Sequence, residues 1–174
     1  MTQNAILHGG NRVIDAETHA NAALLHRLFA ALNQHDHETM GACYHPTATF
    51  HDIAFNLKGR PRIHAMWHMI CQRSNVVATI EAVHANDIEG RVSLVDTYTF
   101  SDTGYPVRNV IDSRFRFRDG LISEQMDHCD AKAWASQALG EGLTSFLAGR
   151  IRLMRSLKAG WKLWKFTRPY AQYR

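Results

Sequence analysis

The stretch Arg108 to Asp130, RNVIDSRFRFRDGLISEQMDHCD, constrains the fold of this chain more than any other. Side chains on a strand alternate between faces, so Asn109, Ile111, Ser113, Phe115 and Phe117 share one face while Asp112, Arg114, Arg116 and Arg118 share the other. A largely apolar face backed by a charged one is what an antiparallel strand with one wet side requires. Asp119-Gly120 predicts a tight hairpin turn, because both residues tolerate the positive φ of primed turns. The returning strand is harder to read. Leu121, Ser123, Gln125, Asp127 and Cys129 alternate against Ile122, Glu124, Met126 and His128, and neither set is cleanly apolar. If the face carrying Gln125 and Asp127 is the inner one, a carboxylate projects into a Phe-lined concavity.

Upstream the periodicity is helical. Leu24, Leu25, Leu28, Phe29 and Leu32 predict a helix from about Asp15 to Gln34, with Asp15 or Thr18 as cap. Glu38 to Tyr44 reads as a short second helix ending at His45-Pro46, since the residue before proline disfavours the helical region. Thr47 to Asp52 reads as a short strand ending on its aspartate. Lys58-Gly59-Arg60-Pro61 is a turn into a third helix, Arg62 to about Arg73, with Ile63, Met66, Trp67, Ile70 and Cys71 as its stripe. From Asn75 the period becomes two, and Val76–Val83, Arg91–Ser101, Tyr105–Arg118 and Leu121–Cys129 predict four consecutive antiparallel strands. Helices first and a meander afterwards imply an α+β layer fold, with a curved sheet covered by three N-terminal helices and room for a pocket between the layers.

A chain of 174 residues is most simply one folded domain that needs no disulfide. Its three cysteines, Cys43, Cys71 and Cys129, lack CxxC spacing and read as small buried hydrophobes in a reducing compartment, which makes the expected location cytoplasmic. No basic start leads into a long apolar run, so neither a signal peptide nor a membrane span is expected. The net charge of +4 hides an asymmetry. Residues 1–130 hold 11 Lys/Arg against 15 Asp/Glu, whereas 131–174 hold 9 against Glu141 alone. In that basic tail Leu147, Ile151, Met154, Leu157, Trp161 and Trp164 recur at helical spacing, predicting an amphipathic cationic helix with a bend at Gly160. Packing on its own domain or on a dimer partner is the plainer reading, and contact with an anionic membrane surface is the alternative. Nucleic acid is not expected as a partner, because the body of the chain is acidic. The expected organisation is an arm at 1–14, a domain at 15–139 and an extension at 140–174.

In order along the chain, these helices, the His45-Pro46 turn, the strand ending in Asp52, the Lys58-Gly59-Arg60 turn, TFSDTG (99–104), FRFRDG (115–120) and MDHCD (126–130) resemble the nuclear-transport-factor-2-like superfamily. More narrowly the chain is similar to its SnoaL-like branch, whose relatives include ketosteroid isomerase, limonene-epoxide hydrolase and polyketide cyclases. The resemblance runs from about Glu17 to Leu139 and implies a cystatin-like cone and a homodimer. It places Asp52 at the general-base position of ketosteroid isomerase. The tyrosine of that enzyme's oxyanion hole falls at Leu28 and its protonated aspartic acid at Ser113, so that oxyanion hole is not expected here. Asp127 matches the aspartate of the RDxxD segment of limonene-epoxide hydrolase, where it works in acid-base catalysis. The hydrolase's Arg-x-Asp pair falls near Asp96-Thr97-Tyr98, with no arginine present.

Strand parity puts Asp96 and Tyr98 on a face with Leu94 and Phe100. Around one concave pocket the expected catalytic residues are therefore Asp127, Asp52 and Tyr98, and the expected substrate contacts are Asn109, Gln125, Ser113, Trp67, Phe115 and Asp96. Carboxylates in an apolar pocket have raised pKa values, and neighbouring like charges push them apart, so one serves as base and another as acid near neutrality. The reading is a cofactor-free acid-base enzyme of isomerase, cyclase or epoxide-hydrolase type, taking a small hydrophobic carbonyl or polycyclic molecule. The alternative is a domain of the same fold that binds a hydrophobic ligand or assembles without chemistry. His64 and His68 stand at i and i+4 on the third helix, but no carboxylate joins them in HEXXH form and the stripe residues claim the buried side, so no metal is expected.

Overall fold

In the computed structural model, which describes residues 19–140 and 151–173, six strands form one curved sheet. They are β1 (Tyr44–His51), β2 (Asn56–Lys58), β3 (Val77–Ala85), β4 (Glu89–Thr99), β5 (Pro106–Arg118) and β6 (Leu121–Cys129), in the order β2-β1-β6-β5-β4-β3. The helices α1 (Ala20–Asn33), α2 (His37–Ala42) and α3 (Arg60–Arg73) cover the inner face. The fold is α+β, as the change of period predicts. The cap candidates Asp15 and Thr18 and the 1–14 arm lie outside the described residues.

Two differences from the sequence reading matter for the site. Tyr44, placed above at the end of the second helix, opens β1 instead, because α2 stops at Ala42. The strand then runs through Pro46, which is tolerated because the ladder to β6 is irregular between Tyr44 and Thr49. β1 lies parallel to β6, so the sheet is mixed rather than a pure meander, and β2 adds an edge the sequence reading missed.

The second difference explains the mixed character of β6. Arg116 pairs with Glu124 but Phe117 pairs with Ile122, so Ser123 is an extra residue in the ladder. A bulge of this kind shifts the side-chain parity. Ile122 on one side of it and Gln125 and Asp127 on the other therefore share the inner face, and no single alternation could have fitted all three. The hairpin is as expected, with Asp119 and Gly120 at φ 54° and 70°.

Leu25, Leu28, Phe29 and Leu32 of α1 and Ile63, Met66 and Trp67 of α3 pack against Phe50, Val92, Leu94, Phe115 and Ile122 of the sheet. On the outer face Arg91 forms a two-pronged ion pair with Asp112, at 2.6 and 3.1 Å. Gly90 lets the layers approach: a Cβ there would meet Phe117 at 3.0 Å and Leu25 at 3.1 Å. Gly90→Ala is expected to destabilise the protein by about 1–3 kcal/mol through overpacking, read from the midpoint of urea unfolding at unchanged slope.

Beyond the sheet, α4 (Ala131–Leu139) is capped by Asp130, which accepts from the Lys132 and Ala133 amides, and brings Trp134 against Tyr98 and Phe100. The basic tail forms α5 (Ile151–Thr167) and a 3-10 turn, Ala171–Tyr173. The stripe expected through Trp161 and Trp164 is out of phase with the buried one: Leu163, Phe166 and Tyr173 join the core, while Trp161 and Trp164 are more than half exposed. The tryptophans instead carry cations over their rings, Lys165 at 5.3 Å and Arg168 at 4.8 Å. Leu147 and the side chains of Ile151, Met154 and Leu157 lie outside the described residues. Among the described residues no helix is long and apolar enough to cross a membrane.

Candidate functional site

Asp127 sits on β6 directly across from Ser113 of β5. Ser113 Oγ donates to its Oδ1 at 2.7 Å, and Gln125 Nε2 donates to both carboxylate oxygens at 3.0 and 3.1 Å. Gln125 is itself almost wholly buried. Its amide oxygen accepts from the Tyr44 hydroxyl, which in turn accepts from Trp67 Nε1 at 3.0 Å. A continuous relay therefore runs from α3 through β1 to the carboxylate, each group donating to the next, and it fixes which end of the Gln125 amide faces Asp127.

Asp127 keeps partial accessibility, yet enough protein surrounds it that lost hydration governs its ionisation. Burial pushes it up to about 7; the Gln125 and Ser113 donors pull downward and the charge of Asp52 adds to the rise. Asp96, on β4 opposite Asn109, is also pushed up to about 7, first by burial and then by the charge of Asp127. Its Oδ1 is buried and has no hydrogen-bond partner among the described residues. A buried oxygen in that state is costly as an anion, so the proton of the pair belongs on Asp96, while the two donors at Asp127 suit the ionised form.

The other expected residues fall as follows. Asp52 closes the β1–β2 turn, its Oδ1 accepting from the Ala54 and Phe55 amides, and its charge reaches both Asp127 and Tyr98. The Tyr98 hydroxyl accepts from Trp134 Nε1 at 2.6 Å and is pushed up to about 12, mainly by burial; a hydroxyl that accepts keeps its own proton to donate. Trp67 anchors the relay. Phe115 packs edge-on to Phe29 in the core. Two hollows adjoin this region. One of about 560 Å³ is lined by Ala54, Phe55 and Leu57 and by Leu163, Trp164 and Tyr173 of the tail. The other, about 520 Å³, takes in Thr97, Tyr98 and Val107. Neither lining includes Asp127.

Sequence reasoning missed Tyr44 as a site residue, having put it on a helix, and placed Asp96 among substrate contacts rather than paired with Asp127. The signal for Asp96 was its parity with Leu94 and Tyr98. For Tyr44 there was none, because its partner Gln125 is 81 positions away.

The comparisons bear on the fold. Residues 25–125, more than half of the chain, match the model of the SnoaL-like domain. The chain belongs to the SnoaL-like domain family. Solved structures of the same fold include an LEH-like epoxide hydrolase of M. tuberculosis, 15% identical with a TM-score of 0.62, the match covering 75% of this chain and 97% of that one. A proposed polyketide cyclase from Xanthomonas campestris is 18% identical with a TM-score of 0.59, covering 68% and 96%. IdmH of Streptomyces antibioticus, also a proposed polyketide cyclase, is 22% identical with a TM-score of 0.56, covering 68% and 98%. Identities this low carry the fold and not the chemistry. No curated protein matches the sequence significantly.

Proposed function

We propose that this SnoaL-like domain is an acid-base enzyme that works through its own carboxyls on a small, largely apolar substrate, opening an epoxide or cyclising a carbonyl compound. The observation that carries this reading is the pair of carboxyls held near pKa 7, one with two donors and the other with an orphaned buried oxygen. Strongly raised carboxyls of this kind are typical of catalytic sites, because a catalytic pKa is most effective near the working pH. Asp127 in its ionised form takes the proton from water or from a carbon next to a carbonyl. Asp96 in its protonated form gives one to the opening ring oxygen or the developing enolate. Tyr98, kept neutral by burial and by the neighbouring charges of Asp96 and Asp52, orients the oxygen that receives it.

The test is turnover against a panel of terpene-type epoxides and aromatic polyketide-like carbonyl compounds, with binding followed in parallel by thermal shift. Turnover with a bell-shaped pH profile centred near neutrality is expected. Panel members that bind without turnover at any pH would leave the domain as a ligand-binding module and remove the catalytic reading.

A further inference from the structure

Apart from the carboxyl pair, α2 and α3 bring together His37, Glu38 and His64. His37 Nδ1 and His64 Nε2 lie 3.0 Å apart. Glu38 Oε2 is 3.5 Å from His64 Nε2, and Glu38 Oε1 is 3.7 Å from His37 Nδ1. Two nitrogens and one carboxylate thus form a small triangle. Taking one ligand atom from each residue, the three lie within 4.8 Å of one another, and atoms bound tetrahedrally to one zinc ion at its usual bond lengths stand roughly 3.3 Å apart.

The rings are held in place by packing. Gly41 lies against His64 so closely that a Cβ there would come within 2.7 Å of the ring. The His37 ring stacks on His68 with centroids 3.7 Å apart, and Tyr173 meets His64 edge-on at 5.2 Å. His68, the i+4 partner suggested by the sequence, is excluded as a ligand: its Nδ1 is bonded to the Tyr173 hydroxyl at 3.0 Å and its Nε2 to Gln72 at 2.8 Å. It supports His37 from behind instead. Burial holds His64 below the ordinary histidine range, against the upward pull of Glu38, and so keeps a nitrogen lone pair available near neutral pH. His37 and Glu38 are half-buried and exposed respectively, which leaves a path for an ion.

We propose that His37, Glu38 and His64 form a three-ligand site for a borderline divalent cation, zinc first among them, with a fourth position open to water or an outside donor. Two imidazoles with one carboxylate suit zinc, cobalt or nickel, whereas magnesium and calcium prefer oxygen ligands. The ion joins α2 to α3 beneath the turn that carries Tyr173. The site is hard to see in sequence because His37-Glu38 and His64 belong to different helices, and the i, i+4 pair on α3 draws attention to the wrong partner.

The test titrates chelator-stripped full-length protein with zinc chloride by calorimetry and with cobalt chloride by visible absorption. One equivalent of each metal is expected, with the intense visible band of four-coordinate cobalt. Binding should weaken by at least about 100-fold in H64Q and in E38Q, because even partners outside the ligand shell cost about 10–100-fold. H84Q, which alters an exposed histidine on β3, should bind as the wild type does. E38Q changes an exposed side chain, so its metal-free melting curve serves as the check on folding. Affinity should fall as pH drops through the histidine range, since protons compete for the same nitrogens. No stoichiometric binding, or one equivalent that survives both H64Q and E38Q, overturns the site.

Discussion

Asp127→Asn is expected to make the protein more stable above neutral pH and to remove the activity proposed above. Both Asp127 and Asp96 are pushed up to about 7 in the folded protein, from 3.8 when free. A raised carboxyl binds its proton more tightly in the folded than in the unfolded chain. Stability therefore falls as pH rises from about 4 to about 7, where the unfolded chain has already ionised and the folded one resists, and it is level above that. The penalty is on the order of 4 kcal/mol for each group if the whole rise is expressed in folding. Asparagine has no charge to desolvate, and its amide oxygen still accepts from Ser113 and Gln125. D127N also relieves Asp96 of a neighbouring charge. At pH 8 the variant should exceed the wild type by about 2–4 kcal/mol, with the gap closing towards pH 4, as read from urea unfolding across that range. With a turned-over substrate in hand, the same change should cost about 10²–10⁴ in kcat. Identical stability profiles in the two proteins would show that Asp127 is hydrated and ordinary, and the proposed function would lose its base.

How much of this was legible beforehand follows from which interactions are local. The β5 strand announces itself by strict alternation, and Asp119-Gly120 by the backbone its residues allow, so that hairpin is where the sequence places it. The α1 and α3 stripes are equally local, and their residues pack on the sheet. What the sequence hides is the effect of single irregularities on parity. The extra residue at Ser123 moves Gln125 and Asp127 onto the face of Ile122, so the mixed alternation in β6 marked a bulge rather than an ill-defined strand. The tail shows the same limit on a helix, because stripes through Trp161 and Trp164 or through Leu163 and Phe166 both have helical spacing. Tryptophans that cover themselves with Lys165 and Arg168 reverse the choice that hydrophobicity alone suggests. Contacts across the fold, Tyr44 to Gln125 or His37 to His64, leave no periodic trace at all.

Gln125→Leu should be among the most damaging single changes in the core, although it exchanges a polar side chain for an apolar one of similar size. Gln125 uses both ends of its amide: the oxygen takes the Tyr44 proton and the nitrogen serves Asp127. Leucine leaves a buried hydroxyl without its acceptor and a buried carboxyl with Ser113 as its remaining described donor, at a cost of about 2–5 kcal/mol. Because the Gln125 bond is what chiefly holds Asp127 down against burial, its loss should also raise the Asp127 pKa and carry the rising limb of the pH-rate profile to higher pH. Tyr44→Phe separates the two effects, since it breaks the relay one step earlier, between Trp67 and Gln125, and leaves the donors to Asp127 in place. The two changes remove parts of one chain of hydrogen bonds, so together they should destabilise by less than the sum of the singles, with a coupling of about 0.5–3 kcal/mol in a double-mutant cycle. Strict additivity would mean that Tyr44 and Gln125 act separately, and Asp127 would then be oriented by Ser113 rather than by a relay that starts at Trp67.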